Sequence, residues 1–180
     1  MHDIKAIIPA KDKWISLVWQ VNDWCNFRCT YCSEWNWAGR NKNDKDIDLI
    51  VNTLEQIMLH YKDRGYKYFK LYLSGGEPTM WAALIPVVEK FREIAEWPGS
   101  CVGINTNFSR PVKWWEANHH LFEDVVASYH AEWTKEKKYL ECYKFLQDKK
   151  NYLCSRIMMH HKYFQPVSYT HLTLPTTSMV

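Results

Sequence analysis

Cys25, Cys29 and Cys32 fall within eight residues at the spacing C-x3-C-x2-C, directly after an apolar run over residues 14–21. A strand that ends in such a loop delivers three thiols to one place. A zinc site ordinarily takes four nitrogen or sulfur ligands, and a closed four-iron cluster takes four cysteines. No nearby residue continues the pattern. A loop of this spacing can curl around a cube of iron and sulfide, hold three corners and leave the fourth iron open to a ligand. The competing zinc site would need His2, His119 or His130 as its fourth donor, and none stands in a supporting local pattern. A ferredoxin-like carrier would need a fourth cysteine brought in by folding. Cys101, Cys142 and Cys154 are available, but each sits in an apolar strand or helix, where a buried free thiol is the ordinary role.

Strands and helices alternate along the chain. Residues 14–21 read as the buried strand that carries the cysteine loop. Ile47, Ile50, Val51, Leu54, Ile57, Met58 and Tyr61 recur at three- and four-residue steps, one apolar helical face, with Asn43 or Asp44 as its N-cap. Gly65 ends that helix and residues 68–73 form a second strand. A helix is predicted over 81–96, broken near Pro86 and closed by Trp97-Pro98-Gly99. Residues 101–106 are a third strand, 114–119 a short helix and 124–128 a fourth strand. Thr134 can cap a helix running to Asp148, and 152–159 make a fifth strand. Five strands with intervening helices imply an α/β fold with a parallel sheet and right-handed crossovers. Ligands in such folds gather at strand C-termini, where the cysteine loop, a Gly-Gly turn and Ser128 all fall.

Further residues join the triplet. Tyr31 is an aromatic directly before Cys32, Gly75-Gly76-Glu77-Pro78-Thr79 ends the second strand, and Ser128-Tyr129-His130 ends the fourth. Together they resemble the radical S-adenosylmethionine (radical SAM) superfamily from about Lys13 to His160. The resemblance implies a partial parallel (βα) barrel with about five of six βα units present. It implies a [4Fe–4S] cluster on Cys25, Cys29 and Cys32, with SAM on the open iron through its methionine amino and carboxylate groups. The implied activity is reductive cleavage of SAM to a 5′-deoxyadenosyl radical that abstracts hydrogen from a substrate, either a peptide or protein or a small metabolite. Oxidoreductase and maturase chemistry are both compatible, and the electron donor would be a flavodoxin or ferredoxin. The alternative is a non-enzymatic iron–sulfur or zinc protein, for electron transfer or structure. Gly75 to Pro78 weighs against it, because a simple carrier has no need of a methionine-binding turn.

By the same resemblance, Gly75 and Gly76 allow close backbone approach to the cofactor, and Pro78 stiffens the turn. The Glu77 carboxylate accepts from the methionine ammonium, or else caps the helix that follows. Tyr31 contacts the adenine and Ser128 supplies a polar contact. Arg156 pairs with the SAM carboxylate, or faces solvent. Asn105 and Asn107 reach the cofactor or substrate, or cap their turn. His130 stands beside the site, as a proton-transfer or substrate contact or as a surface residue. Trp24, Trp35 and Trp37 either shield the cluster or simply pack. The pairs His119-His120 and His160-His161 are adjacent in sequence, so their side chains diverge and do not favour a shared metal.

At 180 residues, 47% hydrophobic and 24% charged, the chain is expected to form one globular domain. A net charge of +3 is too mild to argue for nucleic acid. No stretch approaches the length of a membrane span. Met1 to Lys13 has no long apolar run, and six cysteines then fit a reducing cytoplasm. From Pro166 to Val180 there is no Asp, Glu, Lys or Arg. Val167 to Thr177 resembles a translated sequencing adapter, with a Thr/Pro-rich linker as the alternative. The expectation is a core over 1–165, cut before its sixth strand, and a non-native tail over 166–180.

Overall fold

The two central strands are buried on both faces, and they set the frame. The computed structural model describes residues 13–33, 46–94, 100–158 and 162. Within it, β3 (Cys101–Thr106) and β4 (Asp124–Tyr129) are each buried at all but one position. Flanking them are β2 (Tyr68–Gly75), then β1 (Trp14–Asn22) at one edge and β5 (Tyr152–Ile157) at the other. All pairings are parallel and the order is β1-β2-β3-β4-β5. Chain neighbours are therefore sheet neighbours. Each connection is one βα crossover, the architecture of five units of a partial parallel (βα) barrel. The expectation of a buried strand over 14–21 is corrected: among the described residues β1 pairs only with β2, and as an edge strand it alternates exposed and half-buried residues.

Among the described residues four α-helices cover one face. They are α1 (Ile47–Lys62), α2 (Leu84–Ile94), α3 (Val112–Asn118) and α4 (Glu136–Leu146). The apolar stripe of α1 buries Val51, Leu54 and Met58, and α2 buries Leu84, Val87, Val88 and Phe91. These meet Phe69, Leu71, Leu73, Val102, Ile104, Val125 and Ala127 from the strands in one core. Phe108, Trp115 and Tyr139 close it beneath the β3 exit, with ring centroids 5.3 Å apart from Phe108 to each of the other two. Alternation sends the other side chains to the opposite, polar face. There the Tyr72 hydroxyl donates to Asp124 at 2.6 Å. Its ring crosses Gly103, where a Cβ would sit 2.4 Å from the ring carbons.

Several local expectations are corrected. The N-cap of α1 is Asp46, whose carboxylate accepts from the Leu49 N–H at 3.0 Å, rather than Asn43 or Asp44. Pro86 does not break a helix. A 3-10 turn over Pro78–Met80 comes first, α2 begins only at Leu84, and Pro86 lies in its first turn, where no intrahelical donor is required. Thr134 does not cap α4. The cap position falls on Lys135, and the Thr134 hydroxyl is buried without a hydrogen-bond partner. β5 ends at Ile157, short of Met159, while β2 and β4 run on to Gly75 and Tyr129. Expectations placed on His2, Trp35, Trp37, Trp97-Pro98-Gly99, His160, His161 and 166–180 lie outside the described residues. Among those described, no helix is long and apolar enough to cross a membrane.

Candidate active site

Parallel strands direct their C-terminal loops to one side, and here every strand contributes to one cleft of about 380 Å³. Cys25, Cys29 and Cys32 line it from the loop after β1. Gly75, Gly76 and Glu77 come from the β2 exit, Asn107 from the β3 exit, Ser128 from β4 and Arg156 from β5. Nine of the eleven residues assigned above to the cluster or to SAM thus share one cavity, and Asn105 and His130 line it with them. Pro78 and Tyr31 stand outside its lining. Pro78 is buried at the start of the 3-10 turn. Tyr31 lies behind His130, its hydroxyl 2.8 Å from the imidazole Nδ1. Arg156 is exposed on the edge strand, in register with half-buried Ser128.

The Gly-Gly turn is held by Asn22, the last residue of β1. The Gly76 N–H donates to the Asn22 carbonyl (3.1 Å) and side-chain oxygen (3.2 Å), and the Asn22 amide donates to the Glu77 carbonyl at 3.1 Å. Gly75 has φ 142°, and a Cβ there would lie 2.5 Å from the Asn22 carbonyl oxygen. The seam between β1 and β2 therefore demands glycine at 75, independently of any ligand.

Glu77 is completely buried. Its Oε1 accepts from the Thr79 N–H (3.1 Å), the Thr79 hydroxyl (2.6 Å) and the Thr106 hydroxyl (2.8 Å), and its Oε2 from the Asn107 N–H (2.7 Å). The carboxylate both caps the 3-10 turn and ties the β2 exit to the β3 exit. Burial pushes its pKa up from the ordinary carboxylate value, while the Thr79, Asn107 and Thr106 donors pull it down. These bonds also hold a strained turn, in which buried Phe108 takes φ 55°.

From Asn107 the network reaches the first thiol. Its side-chain amide donates to Asn26 Oδ1 at 3.0 Å and to Cys25 Sγ at 3.6 Å. The Phe27 N–H also points at Cys25 Sγ, at 3.3 Å. Two N–H donors aimed at one sulfur suit a metal-bound thiolate. Burial raises the pKa of the free Cys25 thiol, with these donors lowering it. Cys29 is buried with its thiol pushed up to about 11 by desolvation, and its Sγ lies 3.3 Å from His130 Nδ1. The Cys32 N–H closes back on the Cys29 carbonyl at 3.0 Å. His130 is driven down to about 4 by its own burial.

All six cysteines are free, and Cys101, Cys142 and Cys154 do not line the cleft. Cys142 instead points at the Arg110 carbonyl, 3.5 Å away. Among the described residues no group of three or more His, Cys, Asp or Glu is gathered as a single metal ion would require. Three free thiols facing one cleft, one of them met by N–H donors, fit the donor set of a three-cysteine cluster. Sequence reading missed Asn22, Thr106, Phe27 and Glu132. An asparagine closing the strand before the cysteine loop was a usable signal for the first. Nothing local marks the others.

Comparison with known proteins agrees with this geometry. The chain is similar to GTP 3′,8-cyclase of Tolumonas auensis, 33% identical over 69 residues, which is 38% of this chain and 19% of that protein. The same enzyme of Pasteurella multocida is 30% identical over 69 residues, with the same coverage. The chain thus spans about a fifth (19%) of the length of the curated relatives it matches. The crystal structure of BtrN in complex with AdoMet and 2-DOIA shares the fold, with a TM-score of 0.56 at 21% identity over 82% of this chain and 58% of that one. The radical SAM superfamily model matches residues 19–129, a span that takes in the three thiols, the Gly-Gly turn and the β4 exit, and the chain belongs to that superfamily.

Proposed function

We propose that this chain is the core of a radical SAM enzyme, with Cys25, Cys29 and Cys32 holding a [4Fe–4S] cluster and SAM bound at the iron that lacks a cysteine. One observation carries the reading: three free thiols share a single cleft with the Gly-Gly turn that ends β2 and the ends of three further strands, and no fourth cysteine lines it. The bound pair would supply one-electron reductive cleavage of SAM to a 5′-deoxyadenosyl radical, used for hydrogen abstraction from a peptide, protein or small-metabolite substrate. A flavodoxin or ferredoxin would donate the electron.

The chain's own residues bind, orient and exclude water. The Asn107 amide and Phe27 N–H stabilise the Cys25 thiolate. The main chain of Gly75 and Gly76, fixed by Asn22, forms the ledge for the methionine end of SAM, with Pro78 stiffening it from behind. Ser128 and the exposed Arg156 guanidinium offer a hydroxyl and a cation to the cofactor's polar groups, and Tyr31 backs the adenine side through His130. Glu77, with four protein donors on its carboxylate, serves the site by holding the Gly-Gly turn against Asn107. A ferredoxin-like carrier has no support from Cys101, Cys142 or Cys154, which stand away from the cleft.

The test is a pair of substitutions. After anaerobic reconstitution, Cys29→Ala should abolish cluster retention and Cys142→Ala should leave it intact. Equal loss from both would mean that other thiols hold the iron.

A further inference from the structure

The cysteine loop is held at two points, and the second lies beyond the network that runs through Glu77 and Asn107. Asn107 fixes the Cys25 end. The Cys29 end is gripped by the turn that follows β4, about a hundred residues away in sequence. Glu132 accepts from the Thr30 N–H at 2.9 Å and from the Thr30 hydroxyl at 2.6 Å. Two bonds from one residue fix both its peptide plane and its side-chain rotamer. His130 stacks on Tyr31, 6° from parallel at 6.0 Å, and its Nδ1 meets Cys29 Sγ and the Tyr31 hydroxyl. Phe27 packs edge-on to His130 at 5.8 Å and stacks on Trp133 at 5.9 Å. Phe27, Cys29, Thr30 and Tyr31 are thus each held by one turn. That turn is itself tight, with the Trp133 and Thr134 N–H groups both donating to the His130 carbonyl, at 2.9 and 2.8 Å. It is also tied to β5 by the Met158 N–H on the Tyr129 carbonyl at 3.1 Å.

We propose that the His130–Trp133 turn is a latch that sets the cysteine loop before any cluster binds, with Glu132 as its positioning residue. The inference rests on the reading that these thiols hold a cluster. Ordering a loop costs conformational entropy at every residue. A loop already fixed by folding has met that cost in advance, so iron–sulfide binds it more tightly and leaves it more slowly. Glu132 reaches the loop through Thr30, which lies between Cys29 and Cys32.

Two readouts test the latch. The first, on the protein without cluster, is amide hydrogen exchange of the segment 25–33. The second, on the anaerobically reconstituted protein, is the rate of cluster loss to a chelator, followed by visible absorption. Glu132→Ala should speed exchange in 25–33 while leaving β3 and β4 protected, and should speed cluster loss roughly tenfold, the loss of the two Thr30 hydrogen bonds at a partly exposed site. Glu132→Gln should restore both readouts, because its amide oxygen can accept from the Thr30 N–H while its NH2 donates to the Thr30 hydroxyl. Thr30→Val should show a smaller effect, and adding it to Glu132→Ala should change nothing further. Wild-type exchange and release in Glu132→Ala would overturn the latch, as would additive effects of the two substitutions. A wild-type protein that takes up no cluster would sink the iron–sulfur reading instead, and the exchange comparison would still decide the latch.

Discussion

Glu77→Gln changes one carboxylate oxygen to an amide nitrogen and probes the joint between the β2 and β3 exits. Oε1 has three donors on it and Oε2 has one, the Asn107 N–H at 2.7 Å. The glutamine oxygen should keep the three-donor position, so its NH2 must face the Asn107 N–H. Two donors then oppose each other at a residue with no exposure to water. An unsatisfied buried N–H costs about 1–3 kcal/mol. The remaining three bonds also fall from charge-assisted to neutral, offset in part because no charge is buried any longer. The net expectation is a loss of about 1–3 kcal/mol in unfolding free energy for the apo protein. Glu77→Ala leaves the Thr79 and Asn107 N–H groups both without an acceptor, while the two threonine hydroxyls can turn elsewhere. Its loss should be about 2–6 kcal/mol. Urea denaturation of both variants, with iron content after reconstitution measured in parallel, reads this directly. Stability should fall first, and cluster retention with it, because Asn107 reaches Cys25. A Glu77→Ala protein with wild-type stability and cluster content, defective only in SAM binding, would refute the reasoning and turn the carboxylate toward the cofactor.

Other outcomes follow from single contacts. Gly75→Ala places a Cβ 2.5 Å from the Asn22 carbonyl at φ 142°, so its melting temperature should fall markedly even without iron, where a purely cofactor-facing glycine would leave apo stability unchanged. Asn107→Ala removes a donor from Cys25 Sγ and should speed cluster loss to a chelator, with Cys142→Ala as the unaffected comparison. The raised pKa of Glu77 has a definite sign. Between the ordinary value of 4.5 and the raised one the native state holds more protons than the unfolded state, so stability falls as pH rises through that window. Urea midpoints of wild type and Glu77→Gln, compared across pH, should therefore converge as pH rises from 4.5, because the glutamine does not titrate.

The sheet was readable because its information is local. Val102 and Ile104, then Val125 and Ala127, alternate along the runs at 101–106 and 124–128, and both strands are buried on both faces, as a central parallel strand is. The stripe from Ile47 to Tyr61 marks α1 for the same reason, by its three- and four-residue steps. Caps were less legible. Asn43, Asp44 and Asp46 all carry the right side chain, and only the chain's path selects Asp46. The thiols and the glycines were legible as residues, but their reasons were not. The clash that requires glycine at 75 comes from Asn22, more than fifty residues earlier. Thr106 and Asn107 meet Glu77 from about thirty residues later, and Glu132 meets Thr30 from 102 residues away. No period or motif encodes such pairings. They are consequences of parallel strands bringing all their exits to one rim.

The central claim is an open iron in a three-cysteine cluster, and EPR spectroscopy of the reduced, anaerobically reconstituted protein tests it most directly. The protein should hold about one [4Fe–4S] cluster, and its spectrum should change when SAM is added, because SAM would bind the iron that no cysteine occupies. Full iron loading with a spectrum unmoved by SAM would contradict the account.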